Sequence, residues 1–388
     1  MKTVDRLASL QDDMRQWRHH LHQYPELALE EVQTSAFVEK VLKSLGVDEI
    51  HTGIGKTGLV AVIRGKHPGK SVGFRADMDA LPIHEATNLS YASKTPGVMH
   101  ACGHDGHIAM LLGATKYLAA NRDFNGTVYA IFQPAEESKG GGRLMVEDGL
   151  FERFPMDLVF GMHNRPTEEF GKFFWRDGVL LAAAAEFDIK ITGHGGHGAH
   201  PNRSNDPIII AAHLVTALQT LIARRVSPVE SGVVSVCQIE GGKTYNVIPE
   251  DVRLKGTARW FEPEVGQQLE DGIHSIASGI AKTFGATIDV VFRRTYPATV
   301  NDSSANAIAK DAAEQVVAAD NVLSLSQPTT GTEDFAFMLE KKRGSYIILG
   351  AGTRPDEPKL HTPQFDFNDD VMPIGAAYWV TLAQRNSA

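Results

Sequence analysis

The chain has 388 residues, of which 43% are hydrophobic and 22% are charged, a composition typical of folded globular proteins and not of disordered ones. This length exceeds what one hydrophobic core usually supports, so two domains are expected. The formal net charge is -9 and charges of both signs are interspersed, which argues against nucleic acid or an anionic membrane surface as a partner.

The start of the chain lacks the apolar core of a secretory signal, and no apolar run is judged long enough to span a bilayer. With only two cysteines, Cys102 and Cys237, the chain has too few for a disulfide scaffold. A cysteine here is more suited to metal binding or packing. We therefore expect a cytoplasmic protein with no membrane partner.

The first elements are helical. Apolar residues recur at helical spacing from Leu7 to Leu21, which predicts one amphipathic helix that ends near Pro25. A second helix is predicted over 35–45 and is closed by Gly46.

Short β-rich runs follow and alternate with a helical stretch over 108–118. They begin at Leu59, Val72, Thr127 and Leu158. This alternation predicts an α/β catalytic domain with a mostly parallel sheet flanked by helices, whose chemistry lies at the strand ends.

From about residue 186 the pattern changes to four strands and two long helices, which predicts a compact α+β sandwich. Alternation resumes after Tyr296, with a strand from Tyr346 and a final helix over 369–385. The simplest arrangement is a catalytic domain made of 1–185 and 296–388, with a smaller domain inserted at 186–295.

The segment HACGHDGH, from His100 to His107, places three histidines, a cysteine and an aspartate within eight residues. Cys102 and His104 could bind one ion from this loop, because thiolate and imidazole are good ligands for zinc and related metals. The alternative is a buried cysteine beside histidines that cap the following helix.

Glu136 and Glu137 are adjacent in QPAEES, directly after the run TVYAIFQ. Adjacent side chains on an extended strand point to opposite faces, so both can serve one centre only if the chain bends at Pro134. The alternative is a solvated surface pair, which the position after a buried strand disfavours.

His163 lies at the end of the next β run, and His361 follows a later strand–loop unit. Either histidine alone would be an ordinary core or surface residue. With Cys102, His104 and Glu137 they form five donors, enough for two ions with a bridging ligand and water. Glu136, which this assignment leaves uncoordinated, is then placed to act as a general base.

Ordered motifs along almost the whole chain resemble the amidohydrolase branch of the dinuclear metallopeptidases, which includes hippurate hydrolases, aminoacylases and auxin-conjugate hydrolases. The motifs are HQYPEL at His22, GKTGLVAVI at Gly55, FRADMDALPI at Phe74, VMHACGHDGH at Val98, FQPAEE at Phe132, GMHN at Gly161, GGHGAHP at Gly195, YNVIP at Tyr245 and TEDF at Thr332. The resemblance implies metal ligands at Cys102, His104, Glu137, His163 and His361, and a general base at Glu136.

The same resemblance implies that the inserted domain is a lid and a dimer interface. It implies that His197 reaches the partner subunit's active site to stabilise an oxyanion, with His200 a weaker candidate for that role, and that Asn246 and Arg259 bind the substrate carboxylate. The alternatives are solvated histidines in a glycine loop and, for Arg259, a structural ion pair.

Asp77 is expected to orient a metal-binding side chain without binding the metal itself. Arg75 and Ala76 precede it, where many members of the wider superfamily carry a metal-binding histidine in a His-x-Asp pair. The cysteine loop is expected to compensate, and its softer ligand set suits zinc, manganese, cobalt or nickel.

The predicted activity is metal-dependent hydrolysis of small N-acyl amino acids by a homodimer or higher homo-oligomer. Water is the expected nucleophile; an acyl-enzyme formed at Cys102 fits less well, because the neighbouring carboxylates and His163 suit metal coordination. The alternatives are a dipeptidase or carboxypeptidase on the same scaffold, and a non-catalytic metal- or ligand-binding protein.

Overall fold

A computed structural model describes residues 3–385. The first unit contains the chain up to Leu180, Thr299–Pro328 and the chain from Glu333 onward, and the second contains Leu181–Ala298 and Thr329–Thr332. The sequence predicted divisions at 185/186 and 295/296. Residues 1–2 and 386–388 of the predicted catalytic segments lie outside the described range.

The elements of the first unit up to its junction with the second are α1 (Thr3–Ala8), α2 (Gln11–Gln23), α3 (Val32–Leu45), β1 (Glu49–Ile54), β2 (Gly58–Arg64), β3 (Val72–Asp77), α4 (His104–Ala120), β4 (Thr127–Gln133), α5 (Gly141–Glu147), α6 (Leu150–Arg153), β5 (Leu158–Glu169), β6 (Phe173–Trp175) and β7 (Gly178–Leu181).

The elements of the second unit are β8 (Ala183–Thr192), β9 (Gly196–His197), α7 (Pro207–Leu218), α8 (Thr220–Arg224), β10 (Gly232–Gly241), β11 (Val247–Ile248), β12 (Asp251–Trp260), α9 (Pro263–Phe284) and β13 (Thr287–Tyr296). The first unit resumes with β14 (Thr299–Asn301), α10 (Ser303–Val317), β15 (Val322–Ser324), α11 (Ala336–Leu339), β16 (Gly344–Gly352) and α12 (Met372–Arg385).

The first unit is built on an eight-stranded sheet in the order β1-β2-β4-β3-β5-β16-β6-β15. Its central strands β4, β3, β5 and β16 run parallel to one another, and β1 and β2 are antiparallel additions at one side. Helix α4 packs on β3 and contacts α2, α3 and α12. The stacked rings of Phe74 and Trp379, with centroids 5.0 Å apart, join β3 to α12. This confirms the predicted α/β sheet flanked by helices.

Three local predictions need correction. The single N-terminal helix is two helices, α1 and α2, because the Ser9 hydroxyl donates to the carbonyl of Arg6 and replaces the next helical hydrogen bond. Strand β1 escaped prediction because its sequence, EIHTGI, is too polar to show a buried pattern. Strand β5 continues to Glu169, so His163 lies inside the strand and not at its end.

The second unit is a four-stranded antiparallel sheet in the order β10-β12-β8-β13, with α7 and α9 packed on it. Its separate core includes Phe187, Leu214, Trp260 and Leu269. A two-stranded ribbon of β9 and β11 lies outside this sheet.

Within residues 3–385, Pro207–Arg224 is a helical stretch long and apolar enough to span a bilayer, with a mean hydropathy of 1.5. The expectation that no run approaches such a length overlooked this stretch. The structure divides it into α7 and α8, and buries Ile210, Leu214 and Leu218 in the core of the second unit. A core helix satisfies the same length and composition test, so the stretch is weak evidence for a membrane segment.

Candidate metal centre

The candidate site lies at the carboxyl ends of the parallel strands of the first unit. Asp77 ends β3 and is paired in register with Gln133, the last residue of β4. Arg75 is paired with Gly161 of β5, so two residues further on His163 is level with Asp77. His163 therefore reaches this edge of the sheet although its strand continues beyond it.

The cysteine loop leads into α4 and places two donors at this edge. Gly103 has φ 97°, a left-handed conformation that favours glycine, and a Cβ there would lie 2.6 Å from Asn164 Oδ1. Cys102 is 6% exposed and His104, the first residue of α4, is fully buried. The bend at Gly103 thus turns the chain from Cys102 into the helix and keeps the side chains of Cys102 and His104 at the same edge of the sheet.

The bend predicted at Pro134 occurs one residue later. Ala135 is buried with φ 56°, the left-handed region, and this conformation turns Glu136 and Glu137 off the line of β4. The Glu137 N–H donates to Asp79 Oδ2 at 3.0 Å. Side-chain ligand atoms of His104, Glu136 and Glu137 all lie within 4.8 Å of one another.

The five predicted ligands form one connected cluster. Cys102 Sγ is 3.3 Å from His163 Nε2, and His361 Nε2 is 3.2 Å from Glu137 Oε1. His104 Nε2 is 3.9 Å from the same Glu137 oxygen. Ligand atoms of Cys102, Glu137 and His361 lie within 4.8 Å of one another. His361 has φ 62°, and its N–H donates to the carbonyl of Ala101, which joins the C-terminal loop to the cysteine loop.

The orientation of these donors suits a cation. His104 Nδ1 donates to the carbonyl of Asp79 at 2.8 Å, and His163 Nδ1 donates to the carbonyl of Asn164 at 2.6 Å. Each histidine therefore turns Nε2 toward the cavity, which is the usual arrangement of a metal-binding imidazole. Within the described chain, buried His104 Nε2 and Glu137 Oε1 have no well-directed hydrogen bond. A thiol, imidazoles and a carboxylate fit zinc and its neighbours.

Negative charge dominates the electrostatics of the cavity. Burial raises the pKa of Glu136 well above its usual value, and the charges of Glu333, Glu137 and Asp334 raise it further. Burial and the charge of Glu137 also raise the pKa of Cys102. Burial lowers the pKa of His104, but the charge of Asp77 and the contacts with Asp79 outweigh it and raise the pKa to about 10. These shifts favour the protonated forms of Glu136, Cys102 and His104.

One residue behind the donors, Asp79, escaped sequence reasoning. Asp79 contacts both His104 and Glu137, which is the supporting task assigned to Asp77. Asp77 Oδ1 instead lies 2.6 Å from His107 Nδ1, and His107 Nε2 lies 2.7 Å from Asn164 Oδ1. Asp77 still approaches His104 Nε2 at 3.6 Å. The available signal was the repeated acid in RADMDALP, since Asp79 follows Asp77 by two residues at the strand end.

Arg75, which stands where many relatives carry a metal-binding histidine, has a structural role that the sequence did not reveal. It is buried, and its guanidinium donates to Asp77, Glu333, Asp334 and Gln133. The Tyr346 hydroxyl donates to Glu333 as well. This network compensates buried carboxylates next to Glu136, so Arg75 contributes charge balance where a histidine would contribute a metal bond.

The remaining predicted residues lie in the second unit. His197 is exposed on β9 and is paired with Val247 of β11, and the neighbouring Gly198 N–H donates to the carbonyl of Asn246. Arg259 lies on β12, where it donates to Thr257 and to the carbonyl of Ala258. Burial lowers the pKa of Arg259. The ring centroid of His200 is 5.5 Å from that of His197.

Known proteins are similar to this chain along nearly its whole length. A hippurate hydrolase of Campylobacter jejuni is 39% identical over 385 residues, 99% of each chain. An N-acetyl-L-cysteine deacetylase of Bacillus subtilis is 40% identical over 375 residues, covering 96% of this chain and 88% of the relative. A solved Bacillus subtilis structure, described as a dinuclear metal binding peptidase, superposes with a TM-score of 0.83 at 32% identity, covering 97% and 98% of the two chains.

The model of peptidase family M20/M25/M40 matches residues 73–385, which include every predicted site residue. The chain therefore belongs to peptidase family M20/M25/M40.

Proposed function

We propose that the chain hydrolyses the amide bond of N-acyl amino acids at a centre of two divalent cations, releasing a carboxylic acid and a free amino acid. The observation that carries this proposal is the convergence of five donors in one connected cluster with Glu136 beside them. These donors come from four separate segments of the chain, and a purely structural role does not require them to share one cavity.

Cys102, His104, Glu137, His163 and His361 would hold the cations, for which zinc, manganese, cobalt and nickel are the candidates. When bound, such ions polarise a carbonyl group and lower the pKa of water to roughly 7. Asp79 and the carbonyl of Asn164 keep the two imidazoles turned toward the cavity. His361, whose side chain is half exposed, lies on the side of the cluster open to solvent.

Glu136 is the proposed general base. It removes a proton from the attacking water, whose oxygen forms the new bond to the acyl carbon, and passes that proton to the amine nitrogen as the carbon–nitrogen bond breaks. Burial and neighbouring carboxylates raise the pKa of Glu136, which favours its uptake of the proton from water. Water is the nucleophile, and Cys102 serves as a ligand.

The roles proposed for the second unit come from the resemblance described above. His197 stabilises the developing oxyanion in the partner subunit, while Asn246 and Arg259 bind the free carboxylate of the substrate. An arginine suits that task because its planar guanidinium meets both carboxylate oxygens.

A substrate panel tests the proposal. The protein, loaded in turn with zinc, manganese, cobalt and nickel, is assayed on acetyl, benzoyl and indole-acetyl amino acids and on dipeptides with a free α-amine. The proposal predicts faster cleavage of the acyl compounds. Faster cleavage of the dipeptides would establish the peptidase alternative, and no cleavage of either class with any metal would favour a binding protein.

Inhibition separates the two possible nucleophiles. Dialysis against a chelator should abolish turnover, and added metal should restore it. Turnover that survives complete metal removal but is lost after thiol alkylation would instead identify Cys102 as the nucleophile.

We further propose a homodimer formed through the second unit. Strand β10 is at the end of its sheet, and its residues 237–241 are exposed, which leaves unpaired backbone groups open to a second copy. Ile208 and Ile209 of α7 are 45% and 52% exposed. The cytoplasmic location expected from composition stays a prediction.

A further inference from the structure

Glu31 is a buried carboxylate that none of the roles above uses. It lies directly before α3 and is 0% exposed. Both oxygens accept a hydrogen bond: the Ala135 N–H donates to Oε1 at 2.8 Å, and the Thr57 hydroxyl donates to Oε2 at 2.6 Å. The Ala135 contact joins residues 104 positions apart in the chain.

Ala135 needs such a contact because its backbone is in the left-handed region, with φ 56° at a fully buried position. This region is unfavourable for residues that carry a Cβ. The turn is also packed closely, since a Cβ at Gly141 would lie 1.7 Å from the carbonyl oxygen of Pro134, and the Gly141 N–H donates to the Ala135 carbonyl. Surrounding structure therefore holds Ala135 in a conformation it does not prefer.

The two residues after Ala135 are Glu136, the proposed base, and Glu137, the proposed ligand. A rotation of the Ala135 backbone would therefore move the carboxylates of both residues. Two other contacts fix the flanks of the turn, because Gln133 donates to Asp334 and the Glu137 N–H donates to Asp79. Among the described residues, the side chain that accepts a hydrogen bond from the strained residue itself is Glu31.

We infer that Glu31, supported by Thr57, is a positioning residue that holds Ala135 in the left-handed conformation and thereby aims Glu136 and Glu137 into the cavity. The inference rests on the proposed function, because it gives these two carboxylates their catalytic and metal-binding tasks. Glu31 acts on the reaction through the turn and touches none of the reacting atoms.

The first test removes the hydrogen-bond acceptor and keeps the volume. Glu31→Met should lower kcat on the order of 100-fold, the typical effect of a displacement near 1 Å at a catalytic group, with little change in KM. Glu31→Gln should recover most of this loss, since its carbonyl can accept from Ala135 while its amide donates to Thr57. Thr57→Val is the matched control: it removes the other partner of Glu31 but leaves the Ala135 contact, so kcat should fall much less than in Glu31→Met.

The second test asks whether strain at Ala135 is the reason that loss of the Glu31 contact lowers kcat. Glycine adopts the left-handed region readily, so in an Ala135→Gly background Glu31→Met should lower kcat at least about tenfold less than in the wild-type background. Metal affinity, measured by chelator competition, should follow the same pattern through Glu137. If Glu31→Met does not fold, Glu31→Asp, which retracts the carboxylate by one methylene, is compared in the two backgrounds instead.

Equal losses of kcat and of metal affinity in both backgrounds would overturn the inference, as would a wild-type kcat in Glu31→Met. Glu136→Gln separates this outcome from failure of the proposed function. An inactive Glu136→Gln with background-independent Glu31 effects refutes the positioning role alone. An active Glu136→Gln refutes the base, and Glu31 is then judged by metal affinity, which must fall in Glu31→Met and recover with Ala135→Gly.

Discussion

Glu136 and Glu137 carry the same functional group on adjacent residues, yet their surroundings give them different tasks. Glu137 lies 3.2 Å from His361 and 3.9 Å from His104, both of which are donors to the proposed centre. Glu136 is grouped with Glu333 and Asp334, whose ligand atoms lie within 4.8 Å of its own, and burial together with these negative charges raises its pKa. One carboxylate therefore suits metal binding and the other suits proton transfer.

This division predicts the behaviour of Glu136→Gln. The amide keeps the shape of the side chain but cannot accept the proton, so kcat should fall roughly 100- to 10,000-fold, the usual contribution of general acid–base catalysis. Metal content, measured by elemental analysis, should stay near that of the wild type. A variant that lost its metal together with its activity would place Glu136 among the ligands.

Protons should leave the site when metal enters. With its pKa raised to about 10, His104 is protonated at pH 7 in the metal-free protein, and the raised pKa of Cys102 keeps its thiol protonated. Both must lose a proton to bind a cation, so metal affinity should increase as the pH rises from 6 toward 9.

Calorimetric titration of the metal-free protein in buffers of different ionisation enthalpy measures the protons released. We expect a positive number at pH 7 that decreases at higher pH. Uptake of protons, or an affinity independent of pH, would contradict the ligand roles of these two residues.

At the scale of elements, a buried charge network ties α2 to the start of α4. Arg18 donates to Asp105 at 2.9 Å, and His22 Nδ1 lies 2.8 Å from the same carboxylate. Arg18, His22 and Asp105 are all fully buried. Because Asp105 directly follows His104, this network supports the helix end that carries a proposed ligand.

The network predicts a loss of stability at alkaline pH. Burial lowers the pKa of His22, but hydrogen bonds to Asp105 and Glu85 outweigh it and raise the pKa to about 9. A raised folded-state pKa means that the stabilisation is fully present below the unfolded value, about 6.5, and is lost as the pH rises through about 9. The rise of the His22 pKa from 6.5 to about 9 corresponds to roughly 3 kcal/mol.

Denaturant unfolding of the wild type and of His22→Gln, measured from pH 6 to pH 10, checks this prediction. The difference between the two free energies of unfolding should shrink across this range. A constant difference would show that His22 does not titrate in the folded protein with the assigned pKa.

At the scale of the whole molecule, the proposed homodimer predicts a mass. Analytical ultracentrifugation should give twice the monomer mass, and Ile209→Lys, which places a charge on the exposed face of α7, should shift the protein toward monomer. Lys190, exposed on β8 in the same unit, offers a matched control position for Lys190→Ala. A monomeric wild type that is fully active would remove the dimer and the role of His197 in a partner subunit.

The positions of several candidate residues relative to the sheet were predictable from buried strands. Glu136 and Glu137 were selected because they directly follow β4, which ends at Gln133, and His163 was selected because β5 shows a clear apolar run. The α/β architecture was predictable for the same reason, since periodicity reports burial along each element.

Contacts between distant segments were not predictable. The local sequence around Asp79 and Glu31 does not indicate which residues they contact. Asp79 contacts Glu137, which is 58 residues away in the sequence, and Glu31 contacts Ala135, which is 104 residues away. The left-handed conformation of Ala135 was equally hidden, because alanine gives no turn signal and the surrounding structure imposes its backbone angle.

Anomalous diffraction from crystals of the metal-loaded protein, recorded on both sides of the metal absorption edge, tests the central claim most directly. The account predicts two peaks per chain, with Cys102, His104, Glu137, His163 and His361 as the protein ligands and Glu136 bound to neither ion. Peaks elsewhere in an active protein, or a ligand bond from Glu136 in place of one of the five, would contradict it.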